Sequence, residues 1–349
     1  MNDIATNPEA TPADARTVHA GLLALDTHID IPWPPAPGGG GFTTDGSRRV
    51  DLPKMRRGGV GGGCFAAYVP QAARTPETTL AAQQRAEAML HAIRAMGAAE
   101  GARLADTADG IEAAWRDGAV AIIPAVENGF AMGGDLARLA LFRSLGAIYL
   151  TMTHNGHNDL ADAAIPRPDF GDPPALHGGV SALGRAAVAE MNRLGMLVDV
   201  SHVAKPAMLQ FAELSRTPIV ATHSCMRALC DHPRNLDNEQ LDALRDVGGV
   251  VQVTAVSSFV RARAAEDRVT VSDFLDHIDH AVSRIGIAHV GIGSDFDGGG
   301  GFVGWHDASE SPNLTAALLA RGYDPEAIAM LWGGNFLRVL RAAEAVAEG

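Results

Sequence analysis

Eight short apolar runs alternate along this chain with stretches of helical period, and that alternation constrains the fold more than any other feature. The runs span residues 22–30, 59–69, 119–127, 147–154, 197–202, 219–224, 249–256 and 289–296. They are rich in Val, Ile, Leu, Ala and Gly, as suits strands buried in a parallel sheet. Helical patterns fill 76–99, 134–145, 180–195, 203–215, 237–247 and 271–285. A β/α alternation implies a parallel sheet with helices on its faces. Eight strands in 349 residues favour an α/β fold of the closed (β/α)8, or TIM-barrel, type. An open doubly wound sheet would normally carry a Gly-rich phosphate loop after its first strand, and no GxGxxG stands there. The expectation is a single barrel domain over 1–349. Residues 1–16 would be a loose lead-in or short helix. Residues 313–347 would close the chain as helices, with a break at Gly322 and Pro325 just inside the last stretch.

The formal charge of −13 argues against nucleic acid and anionic membrane as partners. Cys64, Cys225 and Cys230 form no CxxC pair and no even framework, so reduced thiols and a cytoplasmic location are expected. Residues 1–16 lack a basic stretch followed by an apolar one, and no run is long enough to span a bilayer.

Several runs end on residues that bind metal ions. LLALDTHID ends on His28 and Asp30, LVDVSH on His202, IVATH on His223, and VGIGSDFD on Asp295 and Asp297. His28 and Asp30 are two apart, and on a regular strand such residues face one side. Alone, HxD reads better as a strand-end His and an Asp opening a turn before Pro32. Two further His residues at equivalent strand ends make a ligand set the better reading. Imidazole with carboxylate suits Zn²⁺ or a similar divalent ion. Long loops at 32–48, 155–179 and 297–312 follow the first, fourth and eighth runs, where a barrel keeps its active site.

Glu127 ends the strongly apolar AIIPAVE, so its carboxylate needs a partner. If the centre is binuclear, Glu127 is the best bridge. The other bridge used in such barrels is a carbamylated Lys after the fourth strand, and Lys54 and Lys205, the only lysines, lie elsewhere. A metal pair lowers the pKa of bound water towards ~7, supplying hydroxide as nucleophile. Asp295 is placed to move a proton from that water to a leaving amine, whereas Asp297 reads as a turn residue. His154, ending IYLTMTH, could stabilise a developing oxyanion; His157 is the weaker candidate. Arg234 in DHPRNLD could clamp a substrate carboxylate bidentately. The remaining His residues, His232 among them, read as surface or core-edge imidazoles.

With these residues assembled, the chain resembles the membrane (renal) dipeptidase family of zinc peptidases, peptidase family M19, among the amidohydrolase-type barrels. The likeness runs from about Leu25 to Val346. It rests on DTHIDIPW, PAVENG, LTMTHN, GMLVDVSHV, ATHS, HPRNLD, GIGSDFDG and GGNFLRVL. The resemblance implies a zinc-dependent dipeptidase with two Zn²⁺ ions: His28 and Asp30 on one, His202 and His223 on the other, Glu127 bridging. It implies Asp295 as proton shuttle, with His154 and Arg234 on the substrate. It also implies tolerance of a D-residue on the C-terminal side. The implied partner is a small dipeptide, and a homodimer is the assembly considered.

The sequence departs from the mammalian pattern by lacking secretory and lipid-anchor signals and the loop-crosslinking cysteines; Pro70 and Gly156 stand in those regions. Ala255 and Val256 replace aromatics expected to line the pocket. Two alternatives keep the barrel and its metals. One is a lactonase, cyclic amidase or deaminase, whose substrates need Arg234 less. The other is a metal-binding protein without catalysis, against which the presence of Asp295 argues.

Overall fold

The computed structural model describes residues 12–35 and 41–348, with side chains from Ala15 onward. The Pro/Gly-rich segment at 36–40 and residues 1–11 of the expected lead-in lie outside the described residues. The strands are β1 (Ala24–Asp30), β2 (Val60–Tyr68), β3 (Ala102–Leu104), β4 (Val120–Glu127), β5 (Tyr149–Thr151), β6 (Leu197–Asp199), β7 (Val220–Ser224), β8 (Val250–Val253) and β9 (Val290–Ile292). All the pairings are parallel, in the order β1-β2-β4-β5-β6-β7-β8-β9. This is the expected eight-stranded parallel barrel, nearly closed.

The closing seam between β1 and β9 is laced by individual bonds rather than a regular ladder. The Asp30 N–H donates to Phe296 O and the Asp295 N–H to His28 O, both at 2.9 Å. Thr27 Oγ1 donates to Ile292 O at 3.0 Å, and the Ser294 N–H donates to Asp26 Oδ1 at 2.9 Å. The seam therefore fixes His28, Asp30 and Asp295 relative to one another.

The extra strand β3 was not expected. It pairs with the first half of β4 (Val120–Ile122), whereas β5 pairs with the last residues, Val126 and Glu127. Pro124 stands where β4 changes neighbour, a point where its missing N–H leaves no gap in a ladder. The helices Leu52–Arg57 and Ala108–Arg116 were also unexpected. The first is only six residues long and depends on tertiary support, its Lys54 being buried between Asp45 and Asp51. Where the lead-in enters the described residues it is a short helix, Pro12–Ala20, one of the two forms expected for it.

Elsewhere local signals agree with the structure. Capping boxes at Thr75, Asp237 and Thr270 start the helices Pro76–Met96, Asn238–Asp246 and Val271–Ile285. The helix Ala182–Leu194 ends on Gly195 in the left-handed conformation. The closing segment runs as Pro312–Ala320, a turn at Gly322, Pro325–Ala329, a π-turn and Asn335–Glu344. Phe336, Leu337 and Leu340 of this last helix pack with Leu25, Tyr149, Leu197, Val220 and Val250 from the starts of strands. That apolar plug leaves the opposite, C-terminal end of the barrel for polar chemistry. Among the described residues no helix is long and apolar enough to cross a membrane.

Four expected strands stop early. β5, β6, β8 and β9 end at Thr151, Asp199, Val253 and Ile292, so His154, His202, Ala255 and Asp295 lie beyond them. After β6 and β9 side chains draw the backbone out of the ladder: the Ser201 N–H donates to Asp199 Oδ1 and the Phe296 N–H to Ser294 Oγ, both at 2.9 Å.

Gly293 lies at the barrel's inner seam, where an added Cβ would stand 2.1 Å from Thr222 O and 2.7 Å from Thr27 Oγ1. Gly293→Ala should therefore cost about 1–3 kcal/mol through overpacking. A urea denaturation series comparing midpoints at constant slope checks this, and an unchanged midpoint would refute it.

Candidate active site

Glu127, fully enclosed at the end of β4, is the centre of the polar cluster at the barrel mouth. Its Oε2 faces His28 Nε2 at 3.6 Å. Its Oε1 faces His202 Nε2 at 3.2 Å and His223 Nε2 at 3.5 Å. Three groups of side chains offer ligand atoms close enough for a metal ion: His28, Asp30 and Glu127; Glu127, His154 and His202; and His28, Asp199 and His223. The structure thus brings His28, Asp30, Glu127, His154, His202 and His223 together, and Asp295 joins them in the cavity wall.

Burial opposes ionisation of Glu127, yet His28 and the contacts from His202 hold its carboxyl well below the usual range. Burial, with the charges of Glu127 and Asp295, drives Asp30 well above it. Burial and Glu127 likewise push Asp295 up to about 7, against the pull of His28. Burial disfavours the charged form of His28, but Glu127, Asp295 and Asp30 outweigh it and raise the group to about 10. Burial lowers His154 to about 4 and takes His202 and His223 well below their ordinary value, leaving neutral imidazoles. Without a cation the cluster therefore balances its crowded carboxylates with protons, one kept on Asp30 and one gained by His28. A divalent cation would take the place of the proton drawn to His28. Two buried atoms aimed into the cluster, His28 Nε2 and Asp30 Oδ1, have no hydrogen-bond partner. Nitrogen and carboxylate donors with free lone pairs fit such an ion.

The backbone is shaped for this arrangement. His202 and Asp295 hold φ of +69° and +59°, unusual for residues with a Cβ. Gly298 lets the backbone pass close to two acids: a Cβ there would meet Asp295 Oδ1 at 2.2 Å and Asp30 Oδ2 at 2.6 Å. Asp297 is the turn residue it was expected to be, accepting the Arg49 N–H at 2.8 Å and pairing with Arg48. His157 is also structural, its ring bonded to Pro173 O and the Ala163 N–H.

The cavity above the cluster encloses about 350 Å³ and is walled by Tyr68, Asn155, Ile165, His232, Arg234, Val256 and Phe259. Arg234 is buried, with one Nη2 bond to His223 O at 3.2 Å and an Nε that has no partner. Burial lowers its guanidinium only to about 10, so it stays charged. It faces the cavity as a fixed cation, over the ring of Phe259 at 5.3 Å.

Residues 13–349 match the sequence profile of the membrane dipeptidase family, peptidase family M19. The chain belongs to this family. Its fold superposes on the probable dipeptidase PvdM from Pseudomonas aeruginosa with a TM-score of 0.92 at 30% identity, covering 98% of this chain and 100% of that one. A metallo peptidase from Rhodobacter sphaeroides, solved with a phosphinate mimic of the dipeptide L-Ala-D-Ala, superposes with a TM-score of 0.82 at 32% identity, covering 92% and 99%. Dipeptidase aclJ from Aspergillus oryzae is 36% identical over 232 residues, which are 66% of this chain and 53% of that protein. The chain thus spans about half the length of such curated relatives.

Within this family member, sequence reasoning missed several residues. Thr222 contacts His28 and His223 from behind, and Asp199 accepts the Thr222 hydroxyl. Asp199 was legible by the logic applied to Glu127, as a carboxylate inside an apolar run. His232 was read as an ordinary imidazole but lines the cavity, stacked on Phe259 at a centroid distance of 4.4 Å. Ala255 was expected in the pocket and is instead fully buried in the core; Val256 lines the cavity, and Phe259 supplies an aromatic wall. Ala255 lies just beyond the end of β8 with its backbone held on both sides, the N–H bonding Ser294 O and the carbonyl accepting the Gly301 N–H.

Because the cluster holds protons where a cation would sit, Zn²⁺ should raise the unfolding free energy, by about 2.7 kcal/mol at 100 times its dissociation constant. Thermal unfolding of chelator-stripped protein with and without Zn²⁺ measures this. Glu127→Gln should shrink the shift, and an equal shift in that variant would count against the cluster as the binding site.

Proposed function

We propose that this chain is a metal-dependent dipeptidase whose centre holds two Zn²⁺ ions within one barrel domain. The observation that carries the reading is the division of Glu127, one oxygen towards His28 and the other towards His202 and His223. A carboxylate so divided suits two cations. His28 and Asp30 would hold one and His202 and His223 the other, with Glu127 between them. When bound, the ions would supply Lewis acidity for the scissile carbonyl and a nucleophile from water at neutral pH.

The chain's own residues would do the rest. The buried Arg234 would take the substrate's terminal carboxylate, which sets the scissile bond one residue away, as in a dipeptide. His154, neutral and half-buried, would donate an N–H to the carbonyl oxygen as charge develops there. Asp295, poised near 7, would take the proton from the attacking water and return it to the departing amine nitrogen as the C–N bond breaks. A lactone or nucleobase would leave Arg234 without a counter-charge, so those substrates fit less well. The phosphinate mimic of L-Ala-D-Ala in the Rhodobacter sphaeroides relative supports tolerance of a D-residue at the C-terminal side.

Zn²⁺-loaded protein should hydrolyse members of an L,L- and L,D-dipeptide panel and lose that activity to a chelator; inertness across the panel would overturn the reading. Arg234→Ala should lower kcat/KM on free dipeptides about 10–100-fold, the worth of a charge-assisted hydrogen bond, and spare C-terminally amidated ones. Equal effects on both substrate types would remove Arg234 from this role. Asp295→Asn should keep its metal and lose about 10²–10⁴-fold in kcat. Metal analysis beside turnover tests that pairing, and undiminished turnover would exclude Asp295 as the shuttle.

A further inference from the structure

Asp199 lies close enough to His28 and His223 to count as a candidate ligand. Its hydrogen bonds assign it a different task. Oδ1 accepts the Ser201 N–H at 2.9 Å and the Thr222 N–H at 3.0 Å. Oδ2 accepts the hydroxyls of Thr151 at 2.6 Å and Thr222 at 2.7 Å. A carboxylate has about four lone-pair sites. All four face donors, so none remains for an ion.

The Thr222 hydroxyl has one proton and four polar neighbours. Besides Asp199, its Oγ1 meets His223 Nδ1 at 3.0 Å, His28 Nδ1 at 3.2 Å and, at the longest range, Ser201 Oγ at 3.5 Å. An ionised carboxylate can only accept, so the hydroxyl proton goes to Asp199. The Thr222 oxygen is then an acceptor for both rings, and each must carry its proton on Nδ1. His28 has a second acceptor. Tyr149 donates its hydroxyl proton to Thr27 O at 3.1 Å, and its oxygen receives His28 Nδ1 at 3.0 Å. With Nδ1 protonated, Nε2 keeps the lone pair, and Nε2 is the atom each ring turns towards Glu127.

We propose that Asp199 is a positioning residue rather than a ligand. Through the Thr222 hydroxyl it fixes the tautomer of His223, and it shares that of His28 with Tyr149. One buried charge thereby prepares a histidine at each of the two metal positions. The proposal rests on the metal-centre reading above, and its test counts ions and tautomers rather than turnover.

The redundancy at His28 gives an asymmetric expectation. Zn²⁺ affinities are measured on the full chain by competition with a chromophoric chelator. Thr222→Val should weaken one equivalent about 10–100-fold, the usual cost of losing such support, and Thr222→Ser should restore it. Tyr149→Phe alone should keep both equivalents, whereas Thr222→Val with Tyr149→Phe should weaken both. Asp199→Asn should weaken one, because its amide would donate to Thr222 and turn the hydroxyl proton onto an Nδ1. Long-range ¹H–¹⁵N spectra of Zn²⁺-loaded wild type should show both rings protonated at Nδ1, a reading independent of any variant's folding. Unchanged affinity in Thr222→Val or Asp199→Asn, a Ser variant as defective as Val, or a bare Nδ1 on either ring would overturn the relay. If wild type binds two ions and Thr222→Val binds both as tightly, only the relay falls. If wild type binds none, the proposed function falls with it.

Discussion

The buried carboxylate of Glu127 is the interaction on which the site depends. A charge at the end of an apolar strand is costly unless paired. Here three imidazoles surround it, and two of them are held neutral by the same burial. Asp30 and Asp295 crowd further carboxyls against it, so without a cation Asp30 keeps its proton and His28 gains one. The lone pairs of three Nε2 atoms and two more carboxylates converge on the space around Glu127. A cation satisfies that geometry better than any rearrangement of protons.

Holding such a cluster needs a scaffold that resists it. The barrel supplies one through parallel strands anchored below by an apolar plug and through a β1–β9 seam tied by specific bonds. Strain is concentrated above the plug. His202 and Asp295 sit in the left-handed region, at a cost of about 1–3 kcal/mol each. The turns that place them there are held by Asp199 and Ser294, whose side chains bond the backbone just beyond the strand ends. The residues that shape the turns are thus neighbours of the residues that do the chemistry.

Much of this was legible from the chain. His28, Asp30, Glu127, His202 and His223 were marked by charge or imidazole at the end of an apolar run, a pattern that burial makes expensive without a purpose. The eight barrel strands were legible from their composition. Their ends were less so, because a side chain that captures a backbone N–H stops a ladder without changing the apolar pattern; His202 and Asp295 fell beyond strands for that reason. His232 and Phe259 were not legible as a pair. Their contact depends on two loops, after β7 and after β8, meeting over the mouth. Ala255 failed differently: proximity to the site in sequence said nothing of which way the chain beyond β8 would turn it.

By itself the sequence determined the β/α order, the ligand types and, through its two remote lysines, the need for a carboxylate at any bridge. These follow from local patterns and from which chemical groups are present at all. Only the tertiary structure decided which oxygen of Glu127 faces which histidine, that Asp199 is engaged by four donors, and that Arg234 is buried with a free Nε over Phe259. Those facts are relations between residues far apart in the chain. Distance and hydrogen-bond direction, which no local pattern encodes, come into being when the barrel closes.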